Sequence, residues 1–97
     1  MSKSKMDIID DIDQFMRKHG GTSKEWFVAS SINPKVDLFR YHGFRKGDKG
    51  LMRTAMSELQ AAEVAEFFMD QGSKGNDEVI TGATYVYAYK RTAHTTP

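Results

Sequence analysis

Residues 78–91, "EVITGATYVYAYKR", decide the fold. Tyr85, Tyr87 and Tyr89 alternate with Val86, Ala88 and Lys90, and a period of two is that of a strand whose successive side chains point to opposite faces. The segment is a strand, or a hairpin broken at Gly82, with three tyrosines on one face and Lys90 and Arg91 at its end. A strand needs a neighbour, and residues 35–44, "KVDLFRYHGF", are the expected one. They follow the turn-forming Asn33-Pro34, combine Val36 with Phe39, Tyr41 and Phe44, and stop near Gly43. Glycines at 43, 47 and 50 make the next stretch a loop, and "GSKGND", 72–77, is a polar loop.

Two helices would cover such a sheet. In "DIIDDIDQFMRKHGG", 7–21, a step of 100° per residue gathers Ile8, Ile9, Ile12, Phe15, Met16 and His19 into an arc of about 120°. Asp7, Asp10, Asp11, Asp13, Gln14, Arg17 and Lys18 fall on the other side, and Gly20-Gly21 ends the helix. The second, within "ELQAAEVAEFFMDQ", 58–71, opens on a capping-box spacing, Ser57 with Gln60, and stops at Gly72. Its apolar face is Leu59, Ala61, Ala62, Val64, Ala65, Phe68 and Met69, opposite Glu63, Glu66 and Asp70. Residues 23–30 stay open between helix and strand: Thr22 with Glu25 has capping-box spacing, yet "EWFVAS" equally suits a strand. The expectation is an α+β fold, two amphipathic helices packed on a small antiparallel sheet of residues near 35–44 and 78–91. It is a single domain over 1–97 with loose ends at about 1–5 and 92–97.

The chain has 97 residues and no cysteine, so disulfides and thiolate metal sites are excluded and packing alone must hold it. No apolar run approaches the roughly 18 residues of a membrane span, and the start, "MSKSKMDIIDD", turns acidic where a signal peptide turns apolar. A cytoplasmic protein with no membrane partner is expected. The net charge of +1 conceals a segregation. Asp7–Asp13 and Glu58–Asp70 each hold four acids and no base, whereas Lys24–Arg53 holds seven bases and three acids.

Catalytic signatures are missing from the sequence. Ser30-Ser31 lacks the flanking glycines of a nucleophile elbow, and "GFRKGDKG" fails the phosphate-loop pattern because Lys49 is followed by Gly50 rather than Ser or Thr. His19, His42 and His94 show no metal-ligand spacing. The expectation is a binding protein rather than an enzyme, without cofactor, metal or catalytic residue.

Two surfaces can carry binding. One is acidic: Asp7, Asp10, Asp11 and Asp13 rise over about 9 Å of helix, close to the spacing of about 3.4 Å between charges along a nucleic-acid strand. Glu63, Glu66 and Asp70 continue the acid on the second helix, with Phe67 at the edge. The other is basic: in "FRYHGFRKGDKGLMR", 39–53, Arg40, Arg45, Lys46, Lys49 and Arg53 surround Phe39, Tyr41 and Phe44. With Tyr85, Tyr87 and Tyr89 as a stacking platform, these could hold single-stranded DNA or RNA. Each surface also has a plain structural explanation, acids stabilising helix starts and tyrosines packing beneath a helix.

A short cysteine-free α+β chain with acidic helix faces, "DIIDDID" at 7–13 and "EVAEFFMD" at 63–70, resembles the small phage-encoded inhibitors of host defence, anti-CRISPR proteins among them. The resemblance implies an inhibitor that occupies a nucleic-acid channel of a basic, nucleic-acid-handling protein. The sequence pI near 8.0 departs from the strongly acidic nucleic-acid mimics, so mimicry here belongs to one face. Direct binding of nucleic acid by residues 40–53 and 85–91 is the alternative.

Overall fold

The computed structural model describes residues 2–97 and is α+β. Helix α1, Lys5–His19, starts where the Ser4 hydroxyl accepts a hydrogen bond from the Asp7 amide. It ends at Gly20, whose N–H bonds back to the Met16 carbonyl at 2.8 Å. Asp7 in the first turn and Arg17, Lys18 and His19 in the last complement the helix dipole. The open segment resolves into both alternatives in succession. Thr22 and Glu25 close a capping box around one 3₁₀ turn, Ser23–Glu25, and strand β1, Trp26–Ser31, follows at once. All six β1 residues are buried, which explains why no alternation marked it as a strand.

Residues 35–44 do not form the expected strand. Asn33 caps the short helix α2, Pro34–Val36, by accepting the Val36 N–H, Pro34 occupies the first turn, and the chain continues through a wider π turn, Asp37–Tyr41. The His42 N–H reaches back to the Asp37 carbonyl at 3.0 Å. Asn-Pro is a helix start as well as a turn, and here the capping chemistry outweighs the β-propensity of the residues that follow. The partner strand lies instead at β2, Gly50–Thr54, within the stretch expected to be loop. Helix α3, Glu58–Met69, is capped by Ser57 through the Gln60 N–H. Strand β3, Lys74–Asn76, falls inside the expected polar loop, and β4 is confined to Tyr85–Lys90. Residues 78–84 turn instead, with the Ala83 N–H bonded to the Ile80 carbonyl and the Gly82 N–H to the Glu58 carboxylate.

The sheet order is β2-β4-β1-β3. β4 runs antiparallel to both β1 and β2, whereas β3 lies parallel to β1, so the sheet is mixed rather than antiparallel. The pairings Phe27 with Tyr89 and Ala29 with Tyr87 put these side chains on one face, and Trp26, Val28, Val86 and Ala88 on the other. Helices α1 and α3 cover the second face, enclosing Ile8, Ile12, Val64, Ala65 and Phe68 around Trp26 and Val28. The first face is covered by Leu38 from the π turn and by Phe44. Phe15 and Met69, central on their apolar arcs, are half-buried, and Leu59 is 56% exposed despite its place on the arc of α3. Among the described residues no helix is long and apolar enough to cross a membrane.

The expected loose ends are fastened by backbone bonds. The Lys3 N–H donates to the Thr54 carbonyl at 2.8 Å, and the Thr96 N–H to the His42 carbonyl at 2.8 Å. The tail "TAHTTP" thereby lies over the tyrosine face, which needs a cover because its rings are apolar and its hydroxyls need partners.

Candidate functional site

The helix layer carries a groove of about 260 Å³ between α1 and α3, lined by Lys5, Met6, Ile9, Glu63, Glu66, Phe67 and Asp70. Met6 is 60% exposed and Phe67 40%, so two large apolar side chains meet water among carboxylates. Phe67 is held by an edge-on contact with the buried Phe68 ring, 5.2 Å between centroids. Around them the acids divide into paired and unpaired. Glu63 faces Lys5 at 3.4 Å, Asp13 pairs with Arg17 at 3.0 Å, and Asp11 takes both Lys3 at 2.8 Å and Arg53 at 2.9 Å. Hydrogen bonds from Lys3 and Arg53 hold the Asp11 carboxyl below its ordinary pKa. Asp7, Asp10, Glu66 and Asp70 have no ion-pair partner among the described residues.

The even row of four aspartates read from the sequence is therefore interrupted. Asp11 fastens α1 to β2 and to the chain start, and Asp13 serves its own helix. What remains is a groove with two apolar contacts and four unneutralised acids on its two helices.

The basic residues are divided in the same way. Arg53 is spent on Asp11 and on the Met52 carbonyl, 2.9 Å each, and leaves the basic set. Arg40, Arg45 and Lys46 are exposed, as is Tyr41, on the side of the sheet covered by Leu38 and Phe44, whereas Lys49, also exposed, lies opposite Lys90 on the α1 side, where its charge acts on His19. Tyr85 is partly exposed beside Met52 and Pro34. Tyr87 and Tyr89, expected as stacking platforms, are buried and cannot meet a base in this fold.

They pack instead around His42, which belongs to no sequence motif. The Tyr87 hydroxyl lies 2.7 Å from His42 Nε2, and His42 Nδ1 lies 2.6 Å from the Thr96 carbonyl, so Nδ1 carries the proton and Nε2 accepts from Tyr87. Tyr89 donates to the same Thr96 carbonyl at 3.1 Å. Burial raises the pKa of both tyrosines, that of Tyr89 to about 12, and for Tyr87 the Asp37 charge adds to it. The cluster has the polar chemistry of a site but no access, and each hydroxyl is satisfied internally. No sequence spacing signals it, because its members come from positions 42, 87, 89 and 96. Among the described residues no three His, Asp or Glu side chains gather as metal ligands would.

Fold and surface together describe an α+β protein with an acidic, partly apolar groove on one side of its sheet and a basic face on the other. Comparison with protein-family models, curated proteins and solved structures finds no match to this chain.

Proposed function

We propose that the protein is a non-enzymatic inhibitor of the anti-CRISPR-like kind, docking its α1/α3 groove on a basic, nucleic-acid-handling protein. The observation that carries this is the exposure of Met6 and Phe67 beside Glu66 and Asp70 in the groove, with Asp7 and Asp10 exposed on the same helix as Met6, four acids without an ion-pair partner among the described residues. An exposed apolar patch rimmed by charge is the usual anatomy of a protein-docking surface, with an aromatic residue as its anchor. The acids supply complementarity to a surface that ordinarily receives phosphates, and thereby compete with nucleic acid. The interior placement of Tyr87 and Tyr89 weakens the alternative that relied on them.

The test is capture on the immobilised protein from the native cell, with nuclease present, followed by an assay of the captured protein's nucleic-acid binding. Wild type should retain a basic protein and suppress that binding. Asp10→Lys with Glu66→Lys, both exposed and unpaired, should abolish the suppression, and Phe67→Ala should weaken it by about tenfold or more. Suppression that survives the double reversal unchanged would overturn the proposal.

A further inference from the structure

The basic turn ties its acid to its own backbone and to the tail rather than to an ion pair with its basic side chains. Asp48 Oδ2 accepts the Arg45 N–H at 2.8 Å, the Asp48 N–H returns to the Arg45 carbonyl at 2.9 Å, and Gly47 supplies the left-handed φ of +97° that closes the turn. His94, from the tail, holds the same oxygen at 2.6 Å. Burial pushes the Asp48 carboxyl up, but the bonds from His94 and the Arg45 amide outweigh it and keep the pKa below the ordinary value. The other acid of the segment, Asp37, is likewise turned inward, accepting the Ser31 hydroxyl. On this face Arg40, Arg45 and Lys46 are left exposed with no carboxylate partner among the described residues.

Two aromatic rings stand with them. Tyr41 is 63% exposed and Phe39 55%. Phe39 is backed edge-on by Phe44, 5.5 Å between centroids, and Phe44 rests on Tyr89 and over Gly50, where a Cβ would come within 2.6 Å of its ring. The exposed ring is thus held in place by the core rather than free to collapse onto it.

We propose that this face binds single-stranded nucleic acid without sequence preference, with Arg40, Arg45 and Lys46 on phosphates and Phe39 and Tyr41 stacking on bases. Stacking selects the single strand, because a duplex keeps its base faces covered. The surface lies across the sheet from the α1/α3 groove and does not rest on that groove's function.

The test is fluorescence anisotropy of a labelled 15-nucleotide oligo-dT with the full chain across a salt series, with the matching duplex and poly-glutamate as competitors. The expected result is binding that falls by about 0.7 log unit per log unit of salt for each phosphate contacted. Arg45→Glu with Lys46→Glu should abolish it, and Phe39→Ala should weaken it roughly tenfold with the salt slope unchanged. Asp10→Lys with Glu66→Lys should not weaken it, so failure here and failure of the groove proposal are separable. Arg40→Gln with Lys46→Gln, which leaves the Arg45–Asp48 turn intact, should lower the slope by about 1.4. No binding at about 100 µM protein in low salt, insensitivity to Phe39→Ala, or equal competition by duplex or poly-glutamate would each overturn the proposal.

Discussion

Tyr87 and Tyr89 show how a residue's role depends on what covers it. Their alternation placed them on one face, yet the hydroxyls end in a closed cluster with His42 and the Thr96 carbonyl. Because burial raises their pKa, Tyr89's to about 12, the neutral forms are favoured by folding. Their contribution to stability is full below the unfolded tyrosine pKa of about 10 and is lost as pH rises through the folded values. Urea midpoints should therefore fall between about pH 10 and 12, and Tyr89→Phe should flatten that fall even if it lowers the midpoint at neutral pH. A midpoint equally pH-dependent in the variant would show that Tyr89 is not the group responsible. His42 could not be read from the sequence as their partner, since 45 residues separate it from Tyr87.

The elements differ in how local their causes are. Helices α1 and α3 were legible because cap, apolar arc and stop all lie within one segment: Ser57, then Ala61 to Phe68, then Gly72. Phe68 is fully enclosed, whereas Leu59 on the same arc is exposed because α3 meets the sheet along its later turns. Phe68→Ala should cost about 3–5 kcal/mol, read as a lower urea midpoint at unchanged slope, whereas Leu59→Ala should stay within about 0.5 kcal/mol. Equal effects would mean that α3 presents a different face to the core. The short strands were not legible in this way. β2 and β3 carry glycines that read as loop, and they become strands only because β4 and β1 offer them backbone partners.

At the scale of the molecule the C-terminal residues act as a cover for one sheet face. Thr96 satisfies His42 and Tyr89, and His94 holds Asp48 in the basic turn. Removing Ala93–Pro97 should destabilise the fold by about 1–3 kcal/mol, the scale of buried polar groups losing their partners. A truncated chain with the wild-type urea midpoint would show that the tail does not dock in solution. The charge arrangement has the same two-level origin. The sequence alone determined the α+β class, helices α1 and α3 though not the short α2, and the separation of acidic from basic segments, because composition and helical periodicity are properties of neighbouring residues. Only the tertiary structure decided that residues 35–41 are helical turns, that the sheet is mixed, and which charges remain free. Asp11 meets Lys3 and Arg53, and Asp48 meets His94, across 8, 42 and 46 residues. Such pairings depend on where the packed sheet brings distant chain segments, and no local spacing encodes them.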